Sequence, residues 1–263
     1  MPQLFVFGLG YTAKRIAAAL PAWTVSATGS DGSVSFDDDD AVRAAVGRAS
    51  HVLSSVPPDG AGDPVLARYA DVLEGRWLGY LSSTGVYGDT GGAWVDESSP
   101  IGSGRRTARS DADAAWLDRG ARVFRLPGIY GPGRSPLDRV REGRAHRIDL
   151  PGQVFSRVHV DDIASAVVAA IDRGPGAPPG AYNLADDLPA SGAAVTEEAC
   201  RLLGIAPPPL QTLDEAGLSP MAREFYSENR RVANGKARRV LGWSPRHPTY
   251  RAGLRATLAA ERG

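Results

Sequence analysis

The chain has 263 residues, and its thirty basic side chains are balanced by thirty acidic ones. At about 150 residues per domain, that length predicts one large α/β domain or a core with an appended lobe. Zero net charge argues against nucleic acid or an anionic membrane as partner, and no apolar run approaches the roughly 18 residues that a bilayer span requires. The single Cys200 excludes an internal disulfide and a cysteine-based zinc site, so no metal is expected.

The apolar run at Gln3–Phe7 is too short for a signal core, and a cytoplasmic protein is the expectation. Residues 4–7 read as a first strand ending at Gly8, and 12–20 as a helix (Ile16, Ala17, Leu20) stopped by Pro21. A second strand follows at 23–27, then a short third one before Phe36. Residues 38–49 and 63–74 read as helices, each followed by a strand, at 51–56 and 77–82. Asp63-Pro64 supplies the second helix with a capping oxygen and a proline at its first position. A helix at 111–119 and a strand at 123–126 continue the alternation, which predicts a parallel sheet because parallel strands need crossover connections.

After Pro127 the composition shifts to turn formers at 128–133 and 149–152, with a basic helix predicted between them at 136–147. Further helices are expected at 161–173 and 191–203, the latter closed by Gly204, with a last strand at 181–184.

Gly8-Leu9-Gly10-Tyr11-Thr12-Ala13 joins the first strand to the first helix. The first glycine permits a tight turn, the second lets main chain approach a pyrophosphate, and Ala13 keeps the helix close to the sheet. At this position in an α/β chain, the pattern predicts a Rossmann-type doubly wound fold that binds a dinucleotide. The second strand ends in Ala27-Thr28-Gly29-Ser30, where small hydroxyl residues tolerate a 2′-phosphate, and Asp31 comes a few residues late for a ribose. This slightly favours NADP over NAD. Phe36-Asp37 either caps the adenine or opens a solvated acidic helix start. Only two lysines exist, Lys14 and Lys236, so chemistry that needs a lysine has two places to find one.

Three further motifs follow in order: 81–88 (LSSTGVYG), 125–132 (RLPGIYGP) and His159-Val160-Asp161-Asp162. With the glycine turn, Tyr182-Asn183-Leu184-Ala185 and Leu241-Gly242-Trp243, they resemble the extended short-chain dehydrogenase/reductase superfamily, in particular its atypical NAD-dependent epimerase/dehydratase-like members. The resemblance implies a core of 1–127 plus 159–185 and a smaller substrate lobe of 128–158 plus 186–263. It implies Ser83 at the catalytic Ser/Thr position, Ser82 beside the cofactor, and Pro127 and Gly128 along the nicotinamide. Tyr130 is then either a substrate-side residue or a packed aromatic.

The superfamily's tyrosine and lysine, four apart on one helix face, would fall at Arg105 and Arg109, and no tyrosine lies between Tyr87 and Tyr130. Arg109 retains positive charge for ribose hydroxyls, but a guanidinium at 105 cannot donate a proton. Tyr87, Tyr130 and His159 are therefore the candidate proton donors, with His159 alternatively a helix cap. Arg105, Arg106, Arg134 and Arg157 are candidate anion anchors. Two readings stand for the segment at 230–234: Arg230 or Arg231 reaches an anionic group such as a diphosphate, or Asn234 caps a helix at 235–241. The expected function is an NAD(P)-dependent oxidoreductase or epimerase acting on a nucleotide sugar or small carbonyl. The alternative is a protein that binds NAD(P) without turning it over, as a sensor or partner-binding module. A homodimer through the helix carrying the 105 and 109 positions stays open.

Overall fold

A computed structural model describes residues 1–104 and 107–261, apart from the Met221 side chain. The first half runs β1 (Gln3–Phe7), α1 (Tyr11–Ala18), β2 (Thr24–Ala27), α2 (Asp39–Arg48), β3 (His51–Ser54), α3 (Pro64–Tyr69), β4 (Trp77–Ser83), β5 (Trp94–Val95), α4 (Thr107–Asp118) and β6 (Arg122–Leu126). Then come β7 (Gly128–Tyr130), α5 (Pro136–Arg141), β8 (Arg147–Ile148), β9 (Arg157–His159), α6 (Val160–Arg173), β10 (Gly180–Asn183) and α7 (Gly192–Leu203). The chain finishes with β11 (Leu210–Gln211), α8 (Pro220–Glu224), β12 (Arg231–Val232), α9 (Gly235–Leu241) and α10 (Tyr250–Ala260).

Six strands form one sheet in the order β2-β1-β3-β4-β6-β10, every pair parallel. Side chains alternate across it. Leu4 and Val6 face a cluster with Ile16, Ile163 and Val167 from α1 and α6, whereas Phe5 and Phe7 face Val42, Val46, Val65 and Trp116 from α2, α3 and α4. Both faces are thus dry, as a parallel sheet requires. Each fully buried Ile or Val stabilises the fold by about 1.5–3 kcal/mol. A separate cluster, Leu137, Val140, Val195, Leu254 and Leu258, packs α5, α7 and α10 together.

Three expected elements differ. The short third strand is only an isolated bridge between Thr28 and Val34. The basic helix stops at Arg141, just before Gly143, a poor helix former, and 147–148 pair instead as β8 with β11. The 63–74 helix divides into α3 and a 3₁₀ turn over Ala70–Val72. Asp63 caps α3 as expected, accepting from the Val65 and Leu66 N–H groups at 2.9 Å.

Candidate cofactor and substrate site

From β1 the chain steps out to β2 and then returns to the opposite side of β1 as β3, so the strand order reverses between β1 and β3. Such a switch point leaves a crevice beyond the carboxyl ends of the strands. Gly8 leaves β1 with φ +83°, and a Cβ there would meet Val56 Cγ2 at 3.0 Å. A side chain is excluded twice over, by backbone conformation and by contact. The Gly8 N–H donates to Thr28 Oγ1 at 3.0 Å, the Leu9 N–H to the Thr28 carbonyl at 2.7 Å, and the Ser55 hydroxyl to the Gly8 carbonyl.

Gly10 begins α1 with no side-chain cap and no acidic residue in the first turn, and nothing lies within 4 Å of where its Cβ would stand. The unsatisfied N–H groups and positive end of α1 therefore face open space, which fits a diphosphate. Thr12 and Ala13 are buried beneath, and the Tyr11 phenol donates to the Pro132 carbonyl at 3.1 Å, with Arg134 over its ring at 5.9 Å.

At the β2 end the assignment of Thr28 changes: it is buried and its hydroxyl is spent on the Gly8 turn, so it shapes the loop instead of meeting a ribose. Ser30 is exposed beside it. Lys14, one turn into α1, pairs with Asp31. Asp37 is held on the surface by Arg68 at 2.6 Å, and Phe36 packs edge-on against Phe7 and Tyr69. The solvated helix start is the better description of that segment.

At the far side of the crevice, Ser83 ends β4 half-buried, its hydroxyl accepting from the Gly85 N–H at 3.1 Å. A Cβ on Gly85 would sit 3.2 Å from Ser83 Oγ and 4.0 Å from Arg230 Nη2, so both side chains border this glycine. Arg230 is held there by the Gly88 carbonyl (2.7 Å) and Glu228 (2.8 Å). Arg231 instead points to the Gly92 carbonyl and serves the β12–β5 pair. Asn234 heads α9 without capping it, because its side-chain oxygen accepts instead from Arg238 Nε at 3.1 Å, while its amide nitrogen donates to the Ala185 carbonyl and to Asp187. Pro127 and exposed Gly128 follow directly from Leu126, which pairs with Ser83 across β6 and β4. Arg109 lies beside the buried Tyr80 phenol on the sheet face under α4.

The structure buries all three candidate proton donors, and Ser82 with them. The Ser82 hydroxyl donates to Asp113 at 2.6 Å, inside the sheet face. Asp113 also takes Arg125 Nε (3.1 Å) and Nη2 (2.6 Å). Arg125 Nη1 donates to the Tyr87 oxygen at 2.9 Å, and that phenol donates to Asn183 Oδ1 at 2.8 Å. Tyr87 is thus a buried link in a five-residue network, and burial raises its pKa. Tyr130 is buried too, its hydroxyl turned toward Gly253 of α10 with no hydrogen-bond partner, and desolvation raises its pKa.

His159 caps α6, with Nδ1 accepting from the Asp161 N–H at 3.2 Å and Nε2 placed 3.2 Å from the Thr257 hydroxyl. Burial, then the neighbouring His247 ring at 4.2 Å, hold its pKa down to about 4. These contacts describe a helix cap. His159, Asp161 and His247 bring donor atoms within 4.8 Å of one another, but both His159 nitrogens are already engaged. Arg105 and Arg106 lie outside the described residues.

No protein-family model matches the sequence. The chain is 35% identical over 164 residues, 57% of its length, to a Streptomyces 3-diazoavenalumate denitrifying reductase. That match spans about half of the reductase, 51%. The fold superposes on a putative NAD-dependent epimerase/dehydratase from Methylobacillus flagellatus with TM-score 0.76, 23% identity and 100% and 99% coverage of the two chains. A conserved protein of unknown function from Silicibacter pomeroyi is 40% identical, with 99% of each chain covered and TM-score 0.86. The fold is thus the one seen in the NAD-dependent epimerase/dehydratase-type structure. Lys14 and Ser55 also border the glycine turn, although no motif pointed to them as site residues. Lys14 was visible as a lysine one turn past Gly10, whereas Ser55 carries no signal until β3 is laid beside β1.

Proposed function

We propose that this chain is an NADP(H)-dependent oxidoreductase that works without the tyrosine–lysine pair. The observation that carries this reading is the uncapped start of α1 facing open space at Gly10. The Gly8–Ala13 main chain holds the diphosphate, and Lys14 supplies the cation for a 2′-phosphate at the end of β2, releasing Asp31 to the ribose side. When bound, the dinucleotide would supply the hydride chemistry of its nicotinamide. Ser83 gives a hydrogen bond to a substrate oxygen, Arg230 adds charge beside it, and residues 128–158 and 186–263 act as the smaller lobe over the strand ends.

No tyrosine or lysine occurs between positions 88 and 129, and Tyr87, Tyr130 and His159 are committed to packing. Acceptors that need no proton from the enzyme suit such a site. The activity named for the Streptomyces relative supports this choice. Hydride adding to an aryl diazonium carbon forms a C–H bond and expels N₂, and the charges balance without a proton. Diazo acids are therefore the substrates to try first, with aldehydes and nucleotide sugars as the comparison that does need a proton.

Calorimetry with the oxidised and reduced forms of both coenzymes tests the first step. Lys14→Met is expected to weaken NADPH roughly tenfold and leave NADH nearly unchanged. No heat with any form at millimolar concentration would sink the reading. The burial of all three proton-donor candidates also favours a second reading, binding without turnover. Tight NADPH binding with no loss of its absorbance across the substrate panel would select that alternative.

A further inference from the structure

Arg157 begins β9, paired with Gly128 of β7, and its Cγ lies 3.6 Å from where a Gly128 Cβ would stand. Its stem therefore covers one side of the exposed glycine proposed to lie along the nicotinamide. Nη1 donates to the Phe155 and Ala190 carbonyls, both at 2.9 Å, which fixes the guanidinium plane. Among the described residues no carboxylate comes within ion-pair distance of Arg157, unlike buried Arg125, which grips Asp113 with two nitrogens.

The segment on the other side is Ala185-Asp186, whose Asp186 N–H donates to the Arg157 carbonyl at 2.7 Å. Asp186 is 2% exposed, and its Oδ2 has no hydrogen-bond partner. The Tyr130 hydroxyl, on the strand paired with β9, is a second buried oxygen without one. Arg157, Asp186 and Tyr130 lie within electrostatic reach of one another. Buried polar atoms left open in this way destabilise the fold unless something satisfies them.

We propose that Arg157 is the anion anchor of this site, taking the carboxylate of an acidic substrate through the guanidinium nitrogens left free and holding it beside Gly128. Burial pushes the Asp186 carboxyl up to about 7, which lets it stay protonated and donate to the same carboxylate. Desolvation likewise lowers the Arg157 pKa, the mark of a charge without a counter-ion. Two neighbours thus offer donors to one acceptor, an arrangement that a neutral amide or ester cannot use in full. The inference rests on the coenzyme reading only for what lies next to Gly128; the anion pocket stands on Arg157 and Asp186 themselves.

The test uses the full chain, loaded with NADPH and also coenzyme-free, and titrates cinnamate against cinnamamide. The acid is expected to bind at least tenfold more tightly than the amide. Arg157→Gln is expected to abolish that preference in the coenzyme-free chain as well as in the loaded one. Equal binding of acid and amide to the wild type, or no binding of either, overturns the anchor, and this comparison needs no variant to fold. Acid preference that survives Arg157→Gln overturns it as well, as does a crystal soaked with cinnamate that shows only water at Arg157. Arg157-dependent acid binding without NADPH binding keeps the anchor and defeats the coenzyme reading instead.

Discussion

Gly8 and Gly10 stand two residues apart and do different physical work. Gly8 is required by the fold, since φ +83° and the Val56 contact both exclude a side chain. Gly8→Ala is expected to cost about 1–3 kcal/mol of stability in urea titration, with binding lost as a consequence. Gly10 has ordinary φ and empty space around its Cβ position, so Gly10→Ala should leave the melting temperature nearly unchanged. Its methyl would nevertheless stand where phosphate approaches the α1 N-terminus, and dinucleotide affinity should fall roughly tenfold by calorimetry. Equal effects from the two substitutions would deny the distinction. Tyr87 allows a parallel comparison. Tyr87→Phe should lower stability by about 1–3 kcal/mol, because Arg125 Nη1 and Asn183 Oδ1 both lose a buried partner. A proton donor would instead show an intact fold and lost turnover.

The entry to α6 shows how one helix end sets a pH dependence. The His159 lone pair caps the helix, and protonation removes the acceptor. Unfolded histidine titrates at 6.5 and the folded residue at about 4, so between these values the unfolded chain holds the extra proton. Stability from this group is complete above pH 6.5 and is lost as pH falls toward 4, by on the order of 2–3 kcal/mol. Asp186 has the opposite sign: its pKa rises from 3.8 to about 7, and its contribution fades as pH climbs through that range. The two slopes partly cancel in the wild type. His159→Asn keeps a capping oxygen and removes the titration, so denaturation midpoints at pH 4.5 and 7 should differ by more in its favour at the lower pH. An unchanged difference between variant and wild type would mean that His159 is already charged in the fold.

Across the whole molecule, the dry faces of a parallel sheet make any buried charge depend on its partner. Arg125 comes from β6 and Asp113 from α4, with Ser82 and Tyr87 attached at either end, so one network ties the β4–β6 pair to the helix layer. Asp113→Ala should cost about 3–5 kcal/mol in urea unfolding, since it strands Arg125 in a place with almost no solvent. A loss below 1 kcal/mol would show that water or another group reaches the guanidinium. Removing Arg125 and Asp113 together for apolar residues should restore part of the loss, because desolvation of both charges is then avoided.

How far the sequence alone reached follows from the range of the forces involved. The β–α alternation, the Gly8–Gly10 turn and the Asp63 cap of α3 were legible because each depends on residues within a turn or a strand of itself. Among the described residues, no helix is long and apolar enough to cross a membrane. The fates of Tyr87 and His159 were not legible: their partners Asn183 and Thr257 lie 96 and 98 positions away. Whether a phenol or imidazole is a reagent or a strut is decided by what packs against it. Only the folded chain brings Lys14 to Asp31, Arg230 to Gly85 and Arg157 to Gly128, because a buried polar group takes its partner from whichever element the core lays beside it.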